Sequence, residues 1–173
     1  MSQSLTKTHP QALQLYLWPL CWDAWQAAGS LRSSLHEFTD YPLPAQSPAA
    51  ELQWWHSEVE TGQMQIAGLF QRSNDCLIGT LKAFSFSPDR SRCEIGIELL
   101  DPEHYGRGFG HEGLSLWLLC LKDQGVTEVF GLIHPDNARS LRFFERQGFR
   151  RIGLEADSLD PQMHFVRVEK ALA

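Results

Sequence analysis

Asp101-Pro102-Glu103-His104-Tyr105-Gly106-Arg107-Gly108-Phe109-Gly110-His111-Glu112-Gly113 is the stretch whose reading decides the fold. A run of strand character, residues 92–100, leads into it, and a helical run, residues 114–122, follows at once. The helix is read from apolar Leu114, Trp117, Leu118 and Leu121 at i, i+3, i+4 and i+7. Gly125 stands just past its end. A glycine-rich loop therefore opens a helix directly after a strand. Glycine permits positive φ and lets a ligand approach the backbone. The N–H groups of such a loop converge, and the helix N-terminus adds roughly half a positive charge. This stretch predicts a site for a phosphate or diphosphate.

Working upstream, residues 76–86 and 63–70 read as two more strands, joined by the turn Ser73-Asn74-Asp75. Pro88-Asp89 turns into the strand that feeds the loop, so the three strands are expected to form an antiparallel meander. Ser47-Pro48 supplies an N-cap and a first-turn proline, and the helix it opens carries Leu52, Trp55 and Val59 inward. Trp54, beside that stripe, reads either as a partly buried core residue or as a wall of a second substrate's pocket. Residues 38–47, with Pro42, Pro44 and Tyr41, read as a loop. Before it lie a helix with Trp22, Trp25, Ala28 and Leu31 on one face, and a first strand with alternating Leu13, Leu15 and Leu17, ended by Pro19. Residues 1–10 read as a loose polar tail without an apolar signal segment.

Downstream of the loop helix, residues 127–134 read as a strand. Pro135-Asp136-Asn137 starts a further helix with Leu141 and Phe144 inward and Gly148 as its stop. Strands at 149–153 and 163–170 close the chain. The expected fold is a single α/β (α+β) domain over residues 11–173, with a mixed, mostly antiparallel sheet flanked by helices.

Composition narrows the function. The chain has 173 residues, of which 43% are hydrophobic, enough for one core. A net charge of −6 argues against nucleic acid as a partner and weakly favours a cationic one. No apolar run reaches the ~18 residues of a membrane span. Cys21, Cys76, Cys93 and Cys120 are scattered without metal-ligand spacing and read as reduced thiols of a cytoplasmic protein. His104 and His111 are seven apart across a loop, and no third ligand completes a metal site.

At this point the residues resemble a family. Tyr105-Gly106-Arg107-Gly108-Phe109-Gly110 is similar to the acetyl-CoA diphosphate loop of the GNAT N-acetyltransferases. Asn137-Ala138-Arg139-Ser140 with Phe143-Phe144-Glu145-Arg146-Gln147-Gly148-Phe149 resembles that family's second cofactor motif. The element order agrees over nearly the whole chain. Cys93-Glu94-Ile95-Gly96-Ile97 and the Asn-x-x-Ser form look most like the RimJ/RimL-like branch of ribosomal-protein N-terminal and spermidine acetyltransferases. Three features depart from the pattern. Tyr105 stands where an arginine or glutamine is usual, Phe144 where many relatives carry a tyrosine acid, and the segment after Gly153 is short.

The resemblance implies transfer of acetyl from acetyl-CoA to a primary amine, on a small molecule or a protein N-terminus, by direct attack. Backbone N–H groups of Gly106, Arg107, Gly108, Phe109, Gly110 and His111 would grip the diphosphate, and Leu99 and Leu100 would pair with the pantetheine arm. Asn137 caps its helix and, by resemblance, also touches the pantetheine. Arg142, with Arg139, Arg146, Arg150 and Arg151, makes five of the 15 basic residues fall within a short span. These either meet cofactor phosphates or form a solvated basic face. An ammonium acceptor has a pKa near ~10.4, or ~8 for an α-amine, so a base is useful. Glu94 is the first candidate and Glu98 the second; both lie on one strand face with Gly96 between them. Asp157 and Asp160 are further carboxylates. Ser140 is implied as the donor to the leaving thiolate in place of the missing tyrosine. Homodimerisation enters by resemblance alone.

Two other readings compete. One is a domain that binds acetyl-CoA without transfer, which Phe144 keeps open. The other is a dinucleotide fold, since Gly108–Gly113 also spells GxGxxG. Against the latter, Asp101–Tyr105 separate the fingerprint from its strand, and Glu128 opens the next strand instead of ending it.

Overall fold

The computed structural model describes residues 13–32, 47–157 and 161–172. The tail at 1–10, Tyr41 with most of its loop, and Asp160 lie outside them. Four strands come first in the sheet: β1 (Leu15–Pro19), β2 (Gln65–Gln71), β3 (Leu77–Phe84) and β4 (Arg92–Leu99). They form the expected antiparallel meander. β5 (Glu128–Ile133) then lies parallel to β4. The last two strands, β6 (Arg150–Ala156) and β7 (His164–Ala171), complete the order β1-β2-β3-β4-β5-β7-β6. β7 inserts between β5 and β6, antiparallel to both, a non-local pairing that no local sequence signal announces.

Strand alternation sorts the side chains into two cores. Odd-numbered Ala67, Leu69, Leu81, Ala83, Cys93 and Ile95 face α3 (Phe109–Asp123) and α4 (Ala138–Arg146), with Leu114, Trp117, Leu121, Leu141 and Phe144 opposite them. On the other face, Ile66 meets Trp25 of α1 (Trp22–Arg32) and Trp55, which follows α2 (Pro48–Trp54). Ser47 caps α2 as expected, its Oγ accepting the Ala50 N–H at 3.3 Å with Pro48 next in line. Trp55–Val59 continue the helix as one π-helical turn. Trp54 is half-buried, its ring centroid 5.7 Å from that of Trp25, so it packs on the aromatic core of this face.

Three boundaries differ from the sequence expectation, each for a physical reason. α3 begins at Phe109 rather than at 114. Gly110 and Gly113 are thus helical, and the absence of a side chain at each serves packing. A Cβ on Gly110 would stand 3.2 Å from the Phe143 ring, and one on Gly113 only 2.7 Å from Leu69 Cδ2. β6 runs on to Ala156 because β7 gives it a partner throughout. Leu13 precedes β1 and is exposed. The mostly antiparallel sheet removes the dinucleotide reading, whose fold requires a doubly wound parallel sheet.

Candidate active site

The site begins where the sheet opens. β4 pairs with β3 along its length, from Gly79↔Leu99 to Phe84↔Glu94. Its ladder to β5 covers only Arg92↔Glu128, Cys93↔Val129 and Glu94↔Phe130. β5 itself continues against β7 as far as Ile133. The two parallel strands therefore separate after Glu94 and leave a cleft that runs to the loop at 101–108. The N–H of Leu100 donates to Ile78 O at 2.9 Å, which is on the β3 side. By strand alternation, the backbone groups of Ile97 and Leu99 point to the β5 side, into the cleft, while the Glu94↔Phe130 rung engages the Ile95 N–H on β5. Ile95 O is close enough to β5 that a Cβ on Gly131 would lie 3.6 Å from it. Of the two residues expected to pair with a pantetheine arm, Leu99 has its backbone on the correct side. The Leu100 N–H does not, because β3 already uses it; Ile97, by alternation, faces the same side as Leu99.

At the open end of the cleft, Asp101 caps a short 3-10 turn at Pro102–His104, its Oδ1 accepting the Glu103 N–H at 2.8 Å. Gly106 (φ +73°) and Gly108 (φ +86°) then take the left-handed conformation, which a Cβ disfavours. Neither would meet any atom within 4 Å if it carried a Cβ, so space lies in front of both. Gly108 is the N-cap of α3 and offers no side-chain oxygen. The first intrahelical bond at this end runs from Glu112 N–H to Gly108 O, which leaves the N–H groups of Phe109, Gly110 and His111 at the positive helix end. Glu112 does not compete for them, because its Oε1 accepts the Leu15 N–H at 2.8 Å and ties α3 to β1. Phe109 is buried under the His104 ring, 5.8 Å between centroids, and His104 Nδ1 is buried without a hydrogen-bond partner among the described residues. His111 Nδ1 lies 2.6 Å from Gln147 Oε1.

α4 approaches the cleft from the same face. Asn137 is its N-cap, with Oδ1 accepting the Ser140 N–H at 3.0 Å. Only the amide of Ser140 is used there. Its half-buried hydroxyl makes no hydrogen bond to the described residues. Phe144 sits in the core with Phe143 and Phe149 edge-on, at 5.4 and 5.0 Å, beside Gly131 of β5. It provides packing and no proton.

The basic residues expected to act together are divided by the fold. Arg151 pairs with Glu145. Arg142 and Arg146 are exposed and make no ion pair with the described residues. Arg139 contacts the loop, its Cζ 4.3 Å from the Tyr105 ring centroid.

The carboxylates lie on the opposite face. Even-numbered Arg92, Glu94, Gly96 and Glu98 of β4 point away from α3 and α4, toward the side that carries α1 and α2. Glu94 stands at the last rung before the strands part, with Phe84 across one neighbour and Phe130 across the other. Lys82 is opposite Gly96, between the two glutamates, with its Nζ 5.2 Å from the Trp25 ring centroid. Thr80, opposite Glu98, is buried with Oγ1 unpartnered. Sequence reading passes over such a threonine, because in a strand it is an ordinary β-former. Beyond Phe130, Arg92 and Arg167 stack on its ring at 5.2 and 3.9 Å and share Glu169. Hydrogen bonding from Arg167 first, and then the nearby charges, hold the Glu169 carboxyl below its usual range. Cys93, on the core face, has its thiol pushed up to about 11, first by burial, and is inert there. Asp157 bonds through its backbone N–H to Met163 O at 2.8 Å, at the far end of β6. Among the described residues, no group of histidines, cysteines and carboxylates is arranged to hold a metal ion.

A family model described as an acetyltransferase (GNAT) domain matches residues 14–150. The chain belongs to the GNAT acetyltransferase family. Mycothiol acetyltransferase of Rhodococcus erythropolis (strain PR4 / NBRC 100887) is 28% identical over 113 residues, 59% of this chain and 38% of that protein. The chain thus spans well under half the length of that curated relative. Among solved structures, the GNAT fold is shared with a spermidine N-acetyltransferase from Vibrio cholerae in complex with CoA and spermine. That likeness has a TM-score of 0.78 and 15% identity, covering 92% of this chain and 96% of that one. A domain from Methanocaldococcus jannaschii DSM 2661 gives a TM-score of 0.74 at 19% identity, covering 91% of this chain and 97% of that one. The co-substrate of a GNAT domain is acetyl-CoA, and the donor set here fits it. Amide N–H groups at a positive helix end suit a diphosphate, and the free edge of β4 suits the amide-bearing pantetheine arm.

Proposed function

We propose that this GNAT domain transfers acetyl from acetyl-CoA to a primary amine by direct attack, with Glu94 as general base. The observation that carries the reading is the separation of β4 from β5. It creates a passage between two chemically different faces. The α3–α4 face offers the glycine turn, Asn137 and Ser140 to the nucleotide and thioester. The α1–α2 face offers Glu94, Glu98 and the tryptophans to the amine.

Supplied from that face, the amine meets the thioester carbon in the cleft. Glu94 takes the proton, directly or through a water, so that the nitrogen lone pair is available. The nitrogen–carbon bond forms, the carbon–sulfur bond breaks, and CoA leaves as thiol or thiolate. Ser140, on the cofactor face with its hydroxyl uncommitted, donates to the sulfur. An acidic chain with carboxylates on the acceptor face suits a cationic amine, either a small organic amine or a protein N-terminus. Phe144 favours one other reading, a domain that binds acetyl-CoA without transferring it, since a side chain without a hydroxyl stands where an acid is common.

Thiol release from acetyl-CoA, measured over spermidine, spermine, an aminoglycoside and a peptide with a free α-amine, separates the two. Wild-type protein is expected to release CoA with at least one amine. Glu94→Gln is expected to lower that turnover by roughly 10²–10⁴ with CoA affinity unchanged. Binding of acetyl-CoA with no release for any amine would favour the non-catalytic domain. Full turnover by Glu94→Gln would remove Glu94 from the role.

A further inference from the structure

We propose that Gly96 is a specificity-determining residue: its missing side chain leaves a notch on β4 over which the acceptor's amine reaches the cleft. This rests on the reading of the α1–α2 face as the acceptor side. Glycine inside a strand weakens it unless something requires the glycine. At Gly68 and Gly79 packing requires it, since a Cβ at either would stand 2.6 Å from a neighbouring atom. At Gly106 and Gly108 positive φ requires it. Neither reason holds at Gly96. Its φ lies outside the left-handed region, and a Cβ there would meet nothing within 4 Å among the described residues.

The notch belongs to the cleft. Gly96 lies two residues beyond Glu94↔Phe130, the last rung that joins β4 to β5. It is half-buried, so solvent reaches it. By alternation, a side chain at 96 would share its face with Glu94 and Glu98, about 6.6 Å to either side along the strand. Lys82 is the partner of Gly96 on β3, yet it does not fill the notch; its Nζ lies 5.2 Å from the Trp25 ring centroid. Thr80, on the same face and diagonal to Gly96, is 1% exposed, and its Oγ1 has no hydrogen-bond partner among the described residues. A buried hydroxyl in that state is destabilising, and a polar group of a bound acceptor would relieve it. The notch therefore offers Glu94 to the reacting amine on one side. On its other side, Glu98 and Thr80 are placed for a further hydrogen-bonding group of the same acceptor.

The test measures CoA release with spermidine, spermine, an aminoglycoside and a free α-amine peptide for wild type, Gly96→Ala and Gly96→Val. Calorimetric titration with CoA and thermal melting of each free protein accompany it. A Cβ in open space at an ordinary φ mainly restricts the unfolded chain, so Gly96→Ala should melt at or above the wild-type temperature. CoA affinity should stay at the wild-type value, because the added carbon lies on the face away from α3 and α4. For the amine that wild type turns over fastest, kcat/KM should fall about tenfold with alanine and about a hundredfold with valine, the range for one methylene in a substrate pocket. Wild-type kcat/KM in Gly96→Ala would overturn the proposal and leave the acceptor reading intact. A lowered melting temperature or a lost CoA affinity in Gly96→Ala would also overturn it, since the glycine would then serve the fold or the cofactor. Absence of CoA release by wild type with every amine would overturn both.

Discussion

Glu94 and Glu98 share a face of β4, and at the residue scale the cleft distinguishes them. Glu98 lies near the open end, one residue before Leu99, where a diphosphate at the glycine turn would begin the pantetheine arm. Glu94 lies at the closed end, about 13 Å further along the strand from Glu98 at ~3.3 Å per residue. An arm extended along β4 brings its thioester toward Glu94, and this favours Glu94 as the base. Ser140 meets the reaction from the other face. Asn137 bonds its amide at 3.0 Å, while the serine hydroxyl makes no hydrogen bond to the described residues. Ser140→Ala is expected to lower kcat by roughly tenfold, in keeping with a lost hydrogen-bond donor to the leaving sulfur, and to leave KM for acetyl-CoA little changed. Wild-type kcat in steady-state assays of that variant would reduce Ser140 to a helix residue.

The local signals were legible at the scale of elements because they act over a few residues. Ser47-Pro48 and Asn137 each announce a helix start through capping chemistry, and each is found there, whereas the helix after the glycine turn starts five residues earlier than its apolar pattern indicates. What was not legible depends on partners remote in sequence. Gly110 and Gly113 read as loop, yet they are helical because Phe143 and Leu69 approach too closely for a side chain. The insertion of β7 between β5 and β6 is likewise set by pairing across the sheet. So is the contact of Arg139 with Tyr105, which singles out one arginine from a cluster that the sequence leaves undivided. Gly108 tests the turn itself. With φ +86° and open space around its missing Cβ, Gly108→Ala meets a backbone penalty and no clash. Chemical denaturation should show a loss of about 1–2 kcal/mol, and CoA affinity should fall with it. Unchanged stability would mean that the turn does not hold the left-handed conformation.

The whole molecule is a sheet with two different faces and one opening between them. α3 and α4 bury Leu114, Trp117 and Leu121 on one side, while α1 and the helix after Ser47 bury Trp25 and Trp55 on the other. The ladders of β3 to β4 and β5 to β7 hold the margins of the opening, and the Arg92–Glu169–Arg167 network braces its closed end. The central claim is that acetyl-CoA lies in this opening, with its arm on the edge of β4 and its diphosphate on the first turn of α3. Hydrogen–deuterium exchange of the protein with and without CoA tests it most directly. The account predicts slowed exchange at Ile97 and Leu99 and at Phe109, Gly110 and His111, with Leu100 unchanged because Ile78 already holds its amide. CoA binding that leaves those amides unprotected, or protects a different surface, would contradict it.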